Sequence, residues 1–336
     1  MLNFPKLRMG LIGCGAFGES HLATFAGIPF VEVTAVSDAS EERAHKLAAR
    51  YGVPRVVKDF RELCALREVD AVSVVTTEDQ HLEPVLTALH HGKHVLVEKP
   101  LATRIEDAEK MLEAARASHR ILMPGHLLRF EIRYASVKAQ LESGRLGRVV
   151  YIYARRNRPR WQGTTYKRTP LPLETAIHDL DVILWYCGNK VKSVRAYDLA
   201  LEPGAAADLT CAALKFEGGA VAFIQTMWLV PDKSPALDDS LQVVASRGIA
   251  NIDIANSGLS IWGEEGIELP DVVYEPRLRG AVFGALREEL AYFALCALEG
   301  KEPTVVTAED GLEAVRVALA VVESAKADRE IELPSR

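Results

Sequence analysis

Short apolar runs alternate with amphipathic stretches over the first third of the chain. Apolar strands are predicted at "RMGLIG", "VEVTAVSD", "AVSVVTT", "HVLVEKP" and "ILMPGH". Helices are predicted between them, as in "SEERAHKLAARYG", where Ser40 is a suitable N-cap and Gly52 a suitable stop. This repeat of strand and helix predicts an α/β fold with a doubly wound parallel sheet that runs to about residue 125.

After that point the pattern changes. The stretch "VVYIYARRNRP" alternates apolar and polar residues as a strand does, and a basic loop, "RPRWQGTTYKRTPLP", follows it. Several long strands come next, joined by the turn signals "EGG" and "SRG", and two helices close the chain. We therefore predict two domains, residues 1–125 and 126–336. The second has an antiparallel or mixed sheet, and the last helices can pack back on the first domain.

The composition is that of a soluble globular protein, with 336 residues and a net charge of −6. So mild a charge gives no reason to expect nucleic acid or a membrane as a partner, and no apolar run is long enough to span a bilayer. The N-terminus does not have the shape of a signal peptide. Five scattered cysteines without a C-x-x-C pair argue against disulfides and structural zinc, so we expect a cytoplasmic protein.

A glycine motif lies between the first predicted strand and helix. In "GLIGCGAFGESH" the G-x-G-x-x-G residues are Gly13, Gly15 and Gly18. The first permits a tight turn, the second lets the backbone approach a pyrophosphate, and the third lets helix and strand pack closely. Ala16 and Phe17 open the helix, whose N-terminus would offer its N–H groups to the phosphates. The motif predicts dinucleotide binding; the simpler alternative is a tight turn without a ligand.

An acid at the end of the second strand strengthens this interpretation. Asp38 lies 20 residues beyond Gly18, where it would accept hydrogen bonds from the adenosine ribose. A carboxylate there would repel a 2′-phosphate, so NAD is expected as the cofactor and NADP is disfavoured. Arg43, within reach in principle, is the one residue that favours NADP.

The stretch "ETAIHDLD" concentrates ionisable side chains. On one helix, Glu174, His178 and Asp181 would share a stripe at i, i+4 and i+7, while Asp179 would point to solvent. The stripe suits proton transfer, a zinc site, or a buried histidine satisfied by acids. Zinc would need further ligands, and neither an H-E-x-x-H motif nor a cysteine pair supplies them, so no metal is expected.

Several stretches, in the same order, resemble the Gfo/Idh/MocA oxidoreductase family, named from glucose–fructose oxidoreductase and inositol dehydrogenase. They are "GLIGCGAFGESH", "VVTTEDQHLEPVLTALHHGKHVLVEKPLA", "MPGHLLRF", the segment with "LDVILWYCG", and the last two helices. The resemblance implies an N-terminal Rossmann domain and a C-terminal α/β domain with a large open, mostly antiparallel sheet. Because that sheet often forms an oligomer interface in the family, a homodimer or homotetramer is expected.

The resemblance also implies roles for individual residues. Lys99 of E-K-P matches the active-site lysine, His178 matches the catalytic histidine, and Glu174 stands where the family has Asp. Positions that match or resemble cofactor contacts are Thr76, His81, Glu98, Lys99, His126 and Trp161. Thr77, Glu78 and Ala176 depart from the family's Pro, Asn and Gly, so the substrate pocket should differ from that of inositol dehydrogenase.

Hydride transfer from a secondary alcohol requires a base for the hydroxyl proton and a positive group beside the oxygen. His178 suits the first task and Lys99 the second. Glu174 and Asp181 could orient the imidazole or bind substrate hydroxyls.

The basic stretch "RRNRPRW" is either a solvated or oligomer-contact surface or an anion-recognition patch, with Arg155 as a candidate substrate ligand. Three functions follow. The first is an NAD-dependent dehydrogenase of a sugar, cyclitol or other polyol; the second is a non-catalytic sensor. The third is a nucleotide-sugar dehydrogenase or reductase, whose phosphates the arginines would suit.

Overall fold

The chain folds into two compact units in a computed structural model, which describes residues 5–188, 190–234, 237–255, 259–263, 266–268 and 271–334. One unit comprises residues 1–130 and 274–312, and the other comprises residues 131–273 and 313–336. The first unit is therefore made from two separate stretches of chain.

Up to residue 130 the elements are β1 (Leu7–Ile12), α1 (Ala16–Phe25), β2 (Val31–Ser37), α2 (Glu41–Tyr51), β3 (Arg55–Val57), α3 (Phe60–Ala65), β4 (Ala71–Val74), α4 (Leu82–His90), β5 (His94–Glu98), α5 (Ile105–Ser118) and β6 (Leu122–Gly125). From 131 to 273 they are α6 (Ile132–Glu142), β7 (Val149–Pro159), α7 (Arg160–Tyr166), α8 (Leu171–Glu174), α9 (Ile177–Cys187), β8 (Val191–Leu199), β9 (Leu209–Phe216), β10 (Val221–Val230), β11 (Asp238–Ala245), β12 (Gly248–Asp253), β13 (Ile261–Gly263) and β14 (Gly266–Glu268). The last are β15 (Arg277–Leu278), β16 (Ala281–Val282), α10 (Ala285–Glu299), α11 (Ala308–Ala327) and β17 (Ile331–Glu332).

The first sheet has six strands in the order β3-β2-β1-β4-β5-β6, and every pair is parallel. This confirms the predicted doubly wound sheet. The strand order reverses direction between β1 and β4, and a ligand of such a fold binds outside the carboxyl ends of the strands at that point. The sheet thus positions a site before any side chain is considered.

Local signals in the sequence account for the predicted ends of α2. Ser40 caps the helix, its hydroxyl accepting the N–H of Arg43, and Gly52 ends it at φ 70°. Strand β3 and helix α3 were not predicted from the sequence, because their three and six residues are too few to show a hydrophobic period.

Helix α10 completes the core beneath one face of this sheet. Its Leu290 and Phe293 pack in one cluster with Met9, Phe25 and Leu96 of the first part of the chain, and all five are buried. Burying a leucine or phenylalanine contributes about 1.5–3 kcal/mol, so this helix is an integral part of the first unit.

The second sheet has seven strands in the order β12-β11-β7-β10-β9-β8-β17. Strands β7 and β10 pair in parallel and all other neighbours are antiparallel, so the sheet is mixed and mostly antiparallel, as expected. The "EGG" turn joins β9 to β10, with Gly219 at φ 81°. One face is buried, as at Ile152 and Ile224, and helix α9 packs against β7.

Candidate active site

The turn between β1 and α1 requires glycine at two positions. Gly13 has φ 102°, and a β-carbon there would lie 2.4 Å from the carbonyl oxygen of Val75. A β-carbon on Gly18 would lie 2.0 Å from the carbonyl oxygen of Gly13. At Gly15, by contrast, a β-carbon would meet no atom within 4 Å, so the backbone there is open to a ligand.

Helix α1 begins in this turn. Its N-cap, Gly15, makes no side-chain hydrogen bond to the helix, and the first two helical residues, Ala16 and Phe17, are exposed. The first N–H groups and the positive end of the helix dipole suit a pyrophosphate.

Asp38, directly after β2, is held as an ionised carboxylate. It accepts the N–H groups of Cys14 and Ser40, each at 2.7 Å, and a guanidinium N–H of Arg43 at 2.8 Å. Desolvation favours a higher pKa for Asp38, but these three donors outweigh it and lower the pKa below its ordinary value. The acid therefore stays charged at the position expected for the ribose contact.

A cavity of about 1040 Å³ lies at this edge of the first unit, and its lining includes Gly13, Gly15, Asp38, Arg43 and Thr76. The volume is sufficient for a large part of a dinucleotide. The open glycine, the helix N-terminus and the charged acid all fit NAD, which these residues would hold by its pyrophosphate and its adenosine ribose.

The predicted residues of the nicotinamide end follow three neighbouring strands. Thr76 comes after β4, Lys99 after β5 and His126 after β6, and the carboxyl ends of parallel strands share one edge. Lys99 is half-buried, and a cis peptide bond joins it to Pro100. The sheet topology therefore brings together residues that are about 25 positions apart in sequence.

Two predicted cofactor ligands at this edge are buried. Glu98 accepts the N–H of Lys99 at 3.2 Å. His81 lies with Nδ1 3.0 Å from the carbonyl oxygen of Pro100 and Nε2 3.4 Å from that of Thr76. Burial lowers the pKa of His81, so the imidazole is neutral at pH 7. His81 thus supports the turn that carries Lys99.

The second unit contains the predicted histidine motif, but not on one continuous helix. Helix α8 ends at Glu174 and α9 begins at Ile177. His178 and Asp181 therefore lie on α9, whereas Glu174 lies on α8. Thr175, in the break, donates to Glu174 and accepts the indole N–H of Trp228 at 3.2 Å. The single stripe expected from helical spacing is therefore wrong at its first residue.

Asp179 is not solvated, contrary to the expectation from the helical spacing. Its side chain is 1% exposed and accepts two hydrogen bonds from the guanidinium of Arg156, at 2.6 Å and 3.2 Å. The side chain of Arg156 is itself 2% exposed. Arg156 also donates to Asp239 at 2.8 Å, and Arg158 reaches Asp239 at 2.5 Å and 3.0 Å. Burial raises the pKa of Asp179, and the guanidinium of Arg156 opposes that rise. These four residues tie the first turn of α9 to strands β7 and β11.

The predicted basic loop is largely ordered structure. Arg155 lies in β7, where it pairs with Asp238 at 2.7 Å and stays partly exposed. Trp161 lies on helix α7 rather than in a loop, its N–H donates to Asp232 at 2.9 Å, and its ring is 49% exposed. Because Arg156 and Arg158 already bind carboxylates, the segment offers fewer cations to an anionic substrate than the sequence suggested.

Burial disfavours the thiolate form of two cysteines near the site. Burial raises the pKa of Cys14, in the glycine turn, and of Cys187, at the end of α9, to about 12 in each case. Within the described residues, no group of three or more His, Cys, Asp or Glu side chains is placed to hold a metal ion. None of the described helices is both long and apolar enough to cross a membrane.

A parallel Rossmann sheet, an open glycine turn and a charged acid at the end of β2 define an NAD-binding oxidoreductase. Models of one family match both parts of the chain: "Oxidoreductase family, NAD-binding Rossmann fold" over residues 7–126, and "Oxidoreductase family, C-terminal alpha/beta domain" over residues 138–333. The chain belongs to this Gfo/Idh/MocA family. It is an NAD-dependent enzyme that transfers a hydride between the cofactor and an alcohol or ketone carbon.

Relatives agree with this assignment, and a solved structure agrees with the fold. The chain is 28% identical to a myo-inositol 2-dehydrogenase of Thermotoga maritima, over 97% of this chain and 98% of that protein. It is 33% identical to an inositol 2-dehydrogenase of Acidothermus cellulolyticus, over 58% of each. The fold matches scyllo-inositol dehydrogenase from Lactobacillus casei, a structure with bound NAD(H) and scyllo-inositol, with a TM-score of 0.83. That match, at 23% identity, covers 97% of this chain and 99% of the other.

Proposed function

We propose that this protein oxidises a secondary hydroxyl of a cyclitol such as inositol, or of a related sugar, with NAD as the hydride acceptor. The observation that carries the proposal is the charged Asp38 at the edge of a cavity that begins at the open glycine turn. The inositol dehydrogenases among the relatives support the substrate class. In this proposal residues 1–125 bind the dinucleotide and residues 126–336 bind the substrate.

We propose the following roles for the ionisable residues. His178 takes the hydroxyl proton of the substrate, and the ammonium group of Lys99 stabilises the negative charge on that oxygen. Glu174 orients the imidazole or binds a hydroxyl, and Asp181 and Arg155 contact other polar groups of the substrate. Bound NAD would supply the nicotinamide carbon that accepts the hydride.

The cofactor contacts in this proposal divide into two sets. Backbone and helix N–H groups at Gly13, Gly15, Ala16, Phe17 and Gly18 hold the pyrophosphate, and Asp38 holds the ribose. Nearer the nicotinamide, the proposed contacts are Thr76, His81, Glu98, Lys99, His126 and Trp161.

The other two functions have less support. A nucleotide-sugar substrate was suggested by the basic segment, but Arg156 and Arg158 are bound to Asp179 and Asp239. A non-catalytic sensor would not need Lys99 and His178 together.

Turnover of a polyol panel tests the proposal. The purified protein is mixed with NAD and, separately, with myo-inositol, scyllo-inositol, glucose and a control without polyol, and the absorbance of the reduced cofactor is followed. We expect turnover with at least one cyclitol and identification of the matching ketone in the products. A protein that binds NAD but oxidises no polyol would contradict the proposal and favour the sensor.

Asp38 should determine the preference for NAD. We expect a kcat/KM for NAD about tenfold or more above that for NADP. Asp38→Ser should reduce the ratio of these two values about 10–100-fold, because a hydrogen bond to a charged group contributes about 1.5–3 kcal/mol. Glu42→Gln, an exposed acid on α2, is the matched control and should leave the ratio unchanged. An unaltered ratio in Asp38→Ser would refute the ribose contact.

We propose that two copies of the chain pair through the outward face of the second sheet. This face carries Tyr151, Tyr197, Phe223 and Ile249 on four strands, with Phe223 44% exposed and its ring 5.9 Å from that of Tyr151. Exposed aromatic and aliphatic side chains on neighbouring strands suit contact with another protein, and a second copy of the chain would cover them symmetrically.

Light scattering after size exclusion tests this interface. We expect a homodimer or homotetramer for the unmodified protein and a smaller species for Phe223→Asp. Ile132→Asp, at a highly exposed position on α6 outside the sheet, should leave the mass unchanged. A monomeric unmodified protein would exclude the interface.

We further propose a cytoplasmic location, because the cysteines of the chain are free thiols.

A further inference from the structure

A buried histidine links three elements at the catalytic edge of the first sheet. His21, on the second turn of α1, is 0% exposed. Its Nδ1 lies 2.9 Å from the hydroxyl oxygen of Ser73 in β4, and its Nε2 lies 3.0 Å from Oε1 of Glu98 at the end of β5. This residue, in "GESH" at the end of the glycine motif, was not among those predicted from the sequence to be functional.

A glycine in the neighbouring strand leaves room for the Glu98 carboxylate, and two aromatic rings pack against His21. A β-carbon on Gly125, in the neighbouring strand β6, would lie 2.7 Å from Oε1 of Glu98, so a larger residue would displace the acid. The rings of Phe17 and Phe25, four residues to either side on α1, meet the imidazole edge to face at 5.0 Å and 6.2 Å. His21 is therefore fixed in turn by its own helix.

The two oxygens of Glu98 serve different partners. Oε1 faces His21, and Oε2 accepts the backbone N–H of Lys99 at 3.2 Å. A hydrogen-bonded chain thus runs from Ser73 through His21 and Glu98 to the main chain that carries the lysine. The same helix begins at the glycine turn, so α1 connects the phosphate-binding end of the site with the lysine.

We propose that His21 is a positioning residue for the reaction. By holding Oε1 of Glu98 it keeps Oε2 on the N–H of Lys99 and so fixes the main chain from which the lysine side chain extends. The inference rests on the role proposed above for Lys99. Without the bond to His21, Glu98 turns away, the N–H of Lys99 loses its acceptor, and the ammonium group is no longer held at one place.

Two substitutions separate the two bonds of the imidazole. In His21→Gln the side-chain amide reaches as far as Nε2 and can donate to Glu98. In His21→Asn it reaches only the position of Nδ1, so the contact with Ser73 survives and the one with Glu98 does not. Ser73→Ala removes the hydroxyl that contacts Nδ1 of His21, at the other end of the hydrogen-bonded chain. Thermal unfolding and calorimetric binding of ADP-ribose, which lacks nicotinamide, show whether each variant folds and keeps the adenosine end of the site.

The first measurement needs no turnover. With ¹⁵N-lysine labelling, the hydrogen exchange rate of the Lys99 amide is followed in the protein without added ligand. We expect faster exchange in His21→Asn, and rates near that of the unmodified protein in His21→Gln and Ser73→Ala. Equal rates in all four proteins, or equal acceleration in both His21 variants, would overturn the proposal.

The second measurement is kinetic. We expect kcat to fall about 10–100-fold in His21→Asn with a smaller change in the KM of the polyol, since misplacement by about 1 Å can cost 100-fold. His21→Gln should restore most of this loss. With myo-inositol deuterated at every ring carbon, the isotope effect on kcat should rise in His21→Asn, because hydride transfer has become slower. A reduced fraction of folded enzyme would lower kcat without changing the isotope effect, and that result would reduce His21 to a structural residue. If the unmodified protein oxidises no polyol, the proposed function fails, while the amide measurement still decides this inference.

Discussion

His178→Ala and Lys99→Ala are each expected to lower kcat by about 10²–10⁴-fold, the range that a positioned proton-transfer group contributes. The physical reason differs between them. Without the imidazole the hydroxyl proton must leave to water, and without the ammonium group the developing charge on the oxygen is not stabilised. Steady-state turnover of the polyol found in the panel, followed by cofactor absorbance, measures both effects.

Two matched controls accompany these variants. His90→Ala replaces an exposed histidine in the last turn of α4, and Lys110→Ala replaces an exposed lysine on α5. Both should retain full activity. By calorimetry, His178→Ala and the two controls should bind NAD with the affinity of the unmodified protein, and Lys99→Ala, which loses one proposed contact near the nicotinamide, should still bind it. Undiminished turnover in His178→Ala or Lys99→Ala would reject the role proposed for that residue.

Arg156→Ala is expected to lower the free energy of unfolding by about 3–5 kcal/mol, because it leaves buried carboxylates without their counter-charge. Asp179 is fully buried and loses the guanidinium that it binds, whereas Asp239 retains its ion pair with Arg158. Chemical denaturation measures the loss.

The adjacent residue in the same strand supplies the control. Arg155 pairs with Asp238, but both side chains are about one third exposed, so Arg155→Ala should cost no more than about 1 kcal/mol. Similar losses in the two variants would show that the buried pairs add no more to stability than the exposed one. The KM of Arg155→Ala also tests its proposed contact with the substrate.

The parts of the molecule that the sequence predicted are those specified by neighbours in the chain. The glycine turn, the Ser40 cap and the Gly52 stop are each specified within a few residues. Asp38 could be placed because a strand and a helix of ordinary length put it at the edge where the turn lies. The parallel, doubly wound sheet followed from the regular alternation of strands and helices, whereas the order of its strands was not predicted.

The parts that the sequence did not predict depend on distant partners. Asp179 lies on the side of its helix where solvent was expected, yet Arg156, 23 residues earlier, binds it in the interior. The same guanidinium binds Asp239, 60 residues after Asp179. Helical spacing could not show this, since it contains no information about the sheet behind the helix. The break at Thr175 likewise depends on Trp228, 53 residues away.

His21 illustrates the same limit at the site itself. It stands on the stripe formed with Phe17 and Phe25, which is typical of a residue that only packs, while its acceptor Glu98 is 77 residues further on. The local hint in the sequence was an ionisable residue on an otherwise apolar stripe of a helix that begins at the glycine turn.

The discontinuous make-up of the first unit has a consequence for synthesis. On the ribosome, β1 to β6 emerge more than 150 residues before α10. The hydrophobic cluster that contains Met9 and Leu96 is therefore incomplete until Leu290 and Phe293 have been synthesised. Until α10 is synthesised, one face of the nascent Rossmann sheet leaves apolar side chains in water, a surface that chaperones would bind. A premature stop codon after β6 and before α10 would therefore leave the first unit without part of its core, even though every residue lining the nucleotide cavity had already been translated.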